Sequence, residues 1–341
     1  MPKSLIEALS GNALPRPPIW FMRQAGRYLP EYRALRQQAK NFMELCGTPA
    51  LAAEATLQPI RRFGFDAAII FSDILVIPAA LGRDVQFIEG DGPRHPPILD
   101  PNEIESLFGD ADERFLKPTC EALALVKVEL SAETSLIGFC GAPWTVATYM
   151  IAGKSSPDQA VTRRFAYSHP DAFKMLLDRI ADVSAGYLCR QIDAGADAVQ
   201  IFDSWCGVLP EAEFQRWCIA PVKQIVDQVR SKHPSAKIIV FPRDAAPKRL
   251  AEAQANWRCD GLSISSAGSL TEMDAALPGN IALQGNLDPL LLASGGPALL
   301  KAVDEIVSLS RKRPLIFNLG HGILPDTPIA HVEAVLKRIR A

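Results

Sequence analysis

Three arginines crowd one short stretch of the chain. Residues 17–33 read PPIWFMRQAGRYLPEYR and set Arg23, Arg27 and Arg33 around Gly26, with prolines on either side. A guanidinium grips a carboxylate or phosphate through two parallel N–H bonds, so spaced arginines on a glycine-bearing loop can form an anion clamp. The same residues could instead make surface ion pairs of little worth. Asp73 stands just beyond the apolar run Ala67–Phe71. A carboxylate there could act on a bound molecule, cap a helix or pair with an arginine. Asp203-Ser204-Trp205-Cys206 sets polar groups after another such run. With no G-x-S-x-G elbow and no positioned base, Ser204 and Cys206 are poor nucleophile candidates, and Cys206 reads as an inert small residue. Gly320-His321-Gly322 flanks a histidine with residues that let backbone approach a ligand, although a lone histidine can also be structural. In Gly138–Met150 (GFCGAPWTVATYM), glycines and proline permit a sharp turn beside a pocket. Tyr149 could offer a phenol at its rim or belong to the core, and Trp144 reads as packing.

Other chemistries find little support. No HExxH or His/Cys pattern predicts a metal site, and His95, His169, His233 and His331 sit in no motif. Gly153-Lys154-Ser155 resembles the end of a phosphate-binding loop, but Thr148 stands where that motif needs glycine. The seven cysteines are scattered without a CxxC pair, which argues against a disulfide framework and suggests a reduced, cytoplasmic setting. A formal net charge of -2 disfavours a general nucleic-acid binder. No apolar stretch has the length of a membrane span, and the first twenty residues lack a signal peptide's apolar run.

The polar motifs share a setting. Apolar runs at Ala67–Phe71, Ser135–Phe139, Ala198–Phe202, Lys237–Phe241, Gly261–Ser265, Ile281–Gln284 and Leu315–Asn318 are each followed at once by a polar or Gly/Pro motif. Continuous apolar runs suit strands buried on both faces of a parallel sheet. Between them lie helical patterns such as Asp171–Ala194, which ends beside Gly195. Seven βα units in an uninterrupted chain predict an α/β fold and favour a single closed (β/α)8 TIM-type barrel spanning residues 1–341 over two doubly wound domains, with its site at the strand ends. The eighth strand has no evident place. Residues 1–65 read as an N-terminal extension that carries the arginine loop and helices around Lys3–Leu9, Pro30–Gln38 and Pro49–Phe63, able to cover one mouth of the barrel.

In order and spacing these segments resemble the uroporphyrinogen decarboxylase family over nearly the whole chain. Trp20–Arg33 is similar to that family's N-terminal signature and Gly138–Met150 to its second. Asp66–Pro78, Leu283–Pro289 and Asn318–Gly322 fit as well. The resemblance implies a single distorted (β/α)8 barrel, usually homodimeric, and a cofactor-independent enzyme of haem synthesis that removes carbon dioxide from four acetate arms of a tetrapyrrole. It implies catalytic roles for Asp73, Arg23, Arg27, Tyr149 and His321. Substrate would also contact Gln24, Ala25, Gly26, Tyr32, Phe202 and Ser204. A protonated pyrrole would take the electron pair that pyridoxal phosphate or thiamine diphosphate accepts in other decarboxylases. An ionised Asp73 would accept pyrrole N–H bonds and offset the cation. Arg23 is the family's suggested proton donor, yet arginine releases protons poorly, which leaves a site water or a substrate carboxylic acid as alternatives.

Two segments depart from the family pattern. Pro242–Ala246 lacks its glycine-rich turn, and Ser263-Ile264 replace its aspartate and tryptophan. The alternatives are a zinc-dependent corrinoid methyltransferase of the same superfamily, whose zinc activates a thiol, and a non-catalytic tetrapyrrole-binding protein.

Overall fold

Seven parallel strands curl side by side through the molecule. The computed structural model describes residues 3–88, 92–154, 156 and 158–341. The strands are β1 (Ala67–Ile69), β4 (Ser135–Gly141), β5 (Ala198–Asp203), β6 (Lys237–Pro242), β7 (Gly261–Ser263), β8 (Ala282–Leu287) and β9 (Leu315–Leu319), neighbours in that order. A small antiparallel ribbon, β2 (Gln86–Ile88) with β3 (Gly92–Arg94), stands apart. Helices link successive barrel strands, as parallel pairing requires.

The eighth stave comes from residues the sequence reading assigned to the extension. Phe317 N–H donates to the Pro18 carbonyl at 2.8 Å and Trp20 N–H to the Phe317 carbonyl at 3.3 Å. On the other side, Asp66 N–H donates to the Ile19 carbonyl at 2.9 Å, and Ile19 N–H to the Asp66 carboxylate at 2.9 Å. Residues 18–20 therefore bridge β9 and β1 and close the ring. The extension is not separate from the barrel here. Prolines 15, 17 and 18 hide the stave from pattern reading, because proline normally marks a break in a strand.

The interior core explains the strand order. Trp20, Ala67, Ile137, Ala198, Ile239, Ala282 and Ile316 point inward and meet Leu5, Ala8 and Leu9 of helix Ser4–Leu9. That helix covers the end where strands begin: Lys3 bonds Asp197 just before β5, and Lys237 at the start of β6 bonds the Leu9 carbonyl. The opposite end, where strands finish, stays free of it. Above this apolar layer a buried polar chain crosses the barrel, with Trp20 indole N–H to Gln284 Oε1 at 3.0 Å and Gln284 Nε2 to Gln200 Oε1 at 3.0 Å. These bonds satisfy polar groups that burial would otherwise penalise.

Most predicted helices stand close to their expected limits, including Pro49–Phe63 and Pro170–Asp193. Strand ends shifted more. β1 and β7 are three residues long, whereas β4 runs on through Cys140-Gly141. Gly153 ends helix Pro143–Ala152 in a left-handed conformation, so it closes a helix instead of opening a phosphate loop. Ser155 lies outside the described residues. Among the described residues no helix is long and apolar enough to cross a membrane.

Candidate active site

The arginine loop hangs from the eighth stave over the mouth where strands end. Its anchors are mostly side chain to backbone. Phe21 N–H donates to Gln24 Oε1 at 3.1 Å, and Gln24 Nε2 reaches the Ala67 carbonyl at 3.2 Å. Met22 N–H donates to Asn318 Oδ1 at 3.0 Å, and Ile323 N–H to the Met22 carbonyl at 2.9 Å. Tyr28 and Arg33 tie the loop to itself, through the Gln24 carbonyl at 2.9 Å and the Arg27 carbonyl at 2.7 Å. Arg33 is thus a staple of the loop. Gln24 is fully buried and its side chain faces the wall, so only the loop's Ala25-Gly26 backbone and the arginines remain presented.

Arg23 and Arg27 are exposed, and among the described residues neither has a carboxylate within 4.0 Å. Arg23 holds a left-handed backbone, φ 61°. Its stem lies across Gly322, where an added Cβ would stand 2.3 Å from Arg23 Cδ. Gly320 likewise sits against Ser266, with a would-be Cβ 2.2 Å from its backbone nitrogen. These glycines were read as room for a ligand. Each instead admits another segment of the protein.

Asp73 follows β1 and keeps part of its surface open. Its Oδ1 accepts from Leu75 N–H at 2.8 Å, a turn contact two residues on, and the following helix Val76–Ala80 has no side-chain cap. Neither structural alternative holds: Asp73 caps no helix and, among the described residues, makes no ion pair. Burial pushes its carboxyl up to about 6, while the Leu75 N–H and the charge of Arg23 pull it back. Arg23 therefore lies near enough to act on Asp73 without contacting it.

Tyr149 stands on helix Pro143–Ala152 after β4, half-buried. Burial raises its phenol, and it feels Asp73 and Arg23, which places it in the same cleft. The Trp205 indole N–H faces that phenol without forming a well-shaped bond. His321 follows β9. Burial and the charges of Arg23 and Arg243 hold its imidazole down to about 4, so it is neutral at physiological pH. Its Nδ1 is buried without a partner. The ring lies against Phe241, centroids 6.4 Å apart. Phe202 meets Phe139 and Phe241 edge-on at 5.6 and 6.1 Å, giving the cleft an aromatic floor. Tyr32 is buried beside Phe71, centroids 5.5 Å apart, and Ser204 is half-buried after β5.

The structure thus brings Arg23, Asp73, Tyr149, Phe202 and His321 to one mouth. Arg27 is on the same loop, and its charge reaches Tyr32. Trp144 is packing, as expected: it is fully buried, stacks on Trp217 and donates to the Trp205 carbonyl at 3.0 Å. A cavity of about 470 Å³, lined by Leu9, Arg230, Lys237 and Arg258 among others, lies at the other end of the barrel and shares no residue with this cleft.

One group escaped the sequence reading. Asp203, Cys206 and Cys218 are all buried, and their donor atoms lie within 4.8 Å of one another. The fold joins β5 to the segment Phe214–Ile219, a pairing no local pattern announces. Thr145 donates to Asp203 Oδ1 at 2.6 Å, and burial pushes the Cys206 thiol up to about 11 and the Cys218 thiol well above its ordinary value. His321 is not in the group.

An acid limb follows from Asp73. If its anion is needed, kcat/KM falls as pH drops through about 6, where the free carboxyl takes up its proton. Substrate N–H donors favour the anion, so the kcat limb lies at lower pH. Paired pH profiles check this, and a kcat/KM that is flat between about pH 5 and pH 7 excludes the requirement.

A family model described as uroporphyrinogen decarboxylase (URO-D) matches residues 2–341. A protein named uroporphyrinogen decarboxylase from Chelativorans sp. (strain BNC1) is 54% identical over 338 residues, covering 99% of this chain and 98% of its own length. One of the same name from Brucella anthropi is 54% identical over 340 residues, covering 100% and 99%. Among solved structures, a methyltransferase from Methanosarcina mazei superposes with a TM-score of 0.79 at 19% identity over 99% of this chain and 97% of its own, a likeness of fold. The chain belongs to the uroporphyrinogen decarboxylase family.

Proposed function

We propose that this carboxy-lyase converts uroporphyrinogen III to coproporphyrinogen III and four molecules of carbon dioxide, with Asp73 as its central anion. The observation that carries the mechanism is one carboxylate beside guanidinium groups in a partly enclosed mouth, none of them ion-paired among the described residues.

The substrate brings eight carboxylates. Arg23 and Arg27 bind those nearest the loop by charge-assisted pairs. Phe202, beside Phe241 on the neighbouring strand, gives the macrocycle an apolar seat, and Tyr32 and Phe71 line the side toward the loop. Asp73 accepts the pyrrole N–H bonds. Protonation of a pyrrole carbon then makes a ring cation that the Asp73 charge offsets. The bond to the acetate carboxylate breaks, its electron pair enters the ring, and carbon dioxide leaves. The exposed methylene takes a proton to become methyl, and the ring loses the one it gained. Neutral His321 and the Tyr149 phenol supply hydrogen bonds at the edges, as does Ser204. All these groups are electrostatic or positional, so no cofactor enters any step. The backbone of Gln24, Ala25 and Gly26 contributes through the shape of the loop.

The same reading takes residues 1–341 as one domain, supported by the eighth stave lying inside the N-terminal segment. It also takes the protein as a cytoplasmic homodimer in haem synthesis, which rests on the family resemblance.

The test is anaerobic incubation of purified protein with reduced octacarboxylic substrate, then chromatography of the oxidised products. Tetracarboxylic porphyrin is expected, at a rate that exhaustive chelation leaves unchanged. A rate restored only by zinc would transfer the assignment to the thiol-activating methyltransferases, and bound but unaltered substrate would make this a carrier.

A further inference from the structure

The eight staves form a ring, and residues 18–20 stand diametrically opposite β6 in its order. Arg23 leaves the first of these and Arg243 the second. Alternation along β6 sends Ile239 and Phe241 into the barrel, so Arg243 points to the same side one layer higher. The ladder persists to this point, since Arg243 N–H donates to the Asp203 carbonyl at 3.0 Å. Phe241 below it lies against His321. The charges of Arg23 and Arg243 both act on that imidazole, so the two guanidinium groups border one space from different sides.

We infer that Arg243 binds a further carboxylate of the substrate, across the cleft from Arg23, and that Asp244 is the positioning residue that aims it. The inference rests on the decarboxylase reading above. Asp244 Oδ2 lies 3.2 Å from Arg243 Nε, which steers the side chain through one edge and leaves its terminal nitrogens uncommitted among the described residues. The Arg243 side chain is 31% exposed, as a group awaiting a ligand needs. Asp244 adopts φ 60°, a left-handed conformation that aspartate tolerates better than most residues. The turn is held from both sides. Asp244 N–H donates to Ser265 Oγ at 3.3 Å, and Gly207 packs so closely that its Cβ would lie 2.8 Å from the Arg243 carbonyl oxygen. The segment that lacks the family's glycine-rich turn therefore keeps a left-handed turn and presents the Arg243 cation on it. A macrocycle whose carboxylate arms radiate on every side needs cations on more than one rim. The arginine loop supplies only one of them.

The experiment begins with the unaltered protein and reduced octacarboxylic substrate, then compares Arg243→Gln, Arg243→Lys and Asp244→Asn at equal concentration. Arg243→Gln is expected to raise KM roughly tenfold, the scale of one charge-assisted pair, with a smaller effect on kcat. Arg243→Lys keeps the charge without the fork and should restore part of the loss; Asp244→Asn should raise KM several-fold with Arg243 intact. Thermal midpoints separate a binding loss from a folding loss. If Arg243→Gln does not accumulate, Arg243→Lys alone decides, and a KM within twofold of the unaltered protein overturns the inference. An unaltered protein that decarboxylates while a well-folded Arg243→Gln matches its KM overturns the inference alone. An unaltered protein that releases no carbon dioxide overturns the decarboxylase reading, and this inference with it.

Discussion

Replacement of Asp73 by asparagine is expected to lower turnover by at least roughly 10²- to 10³-fold, the scale of losing a preorganised charge at a transition state. The fold should survive, because asparagine Oδ1 can still accept the Leu75 N–H bond. A further consequence separates this residue from a structural one. The folded protein holds the Asp73 proton more tightly than the unfolded chain, with a carboxyl at about 6 against an ordinary 3.8. For a raised carboxyl, the stabilising contribution is full below the unfolded value and is lost as pH rises through the folded one. At neutral pH the enclosed anion therefore destabilises the fold, on the order of 2 kcal/mol after allowing for its partial exposure. The asparagine variant should melt at a higher temperature than the unaltered protein while turning over far more slowly. Turnover within tenfold of the original would remove Asp73 from the centre of the mechanism. A lower melting temperature would mean that its carboxylate serves the structure.

Gly320→Ala should abolish the folded protein. Its Cβ would stand 2.2 Å from Ser266 N and 2.3 Å from Ser266 Oγ. The first neighbour is backbone, so no rotamer change relieves the overlap. Moving the segment after β7 would break the packing that shapes the mouth. The expected cost exceeds about 3 kcal/mol, at the upper end of overpacking effects. Soluble yield and thermal midpoint read it directly, and a variant that melts with the unaltered protein contradicts the close approach. Gly322→Ala offers the contrast. Its Cβ meets the flexible stem of Arg23 at 2.3 Å, so the chain should fold while Arg23 is displaced and substrate affinity drops. Two glycines two residues apart would then fail in different ways, one through the backbone and one through the site.

Asp73 was visible in the sequence as a carboxylate at a strand end, and the arginine loop as spaced guanidinium groups in an N-terminal extension. Their company was not. Arg33 shares the loop with Arg23 and Arg27, yet it binds carbonyls of its own segment. Gln24 lies in the same motif and turns into the wall. Composition cannot separate such neighbours, because side-chain direction at a loop depends on which strands it hangs between. Arg243 is the converse case. In the sequence the segment after β6 stands out only for its missing glycines, and its arginine gains meaning from a place opposite the arginine loop in the ring of strands.

The sequence by itself determined the alternation of buried strands and amphipathic helices, and hence a barrel with polar groups where strands end. Periodicity and turn residues are local properties, so they survive being read one segment at a time. Only the tertiary structure decided that residues 18–20 close the ring and that Asp203, Cys206 and Cys218 meet. It alone decided that the glycines beside His321 admit protein and that the charges of Arg23 and Arg243, carried after opposite staves, both act on that imidazole. Each of these depends on contacts between segments far apart in the chain, fixed by closure of the sheet and by packing of its interior, which no single stretch of residues encodes.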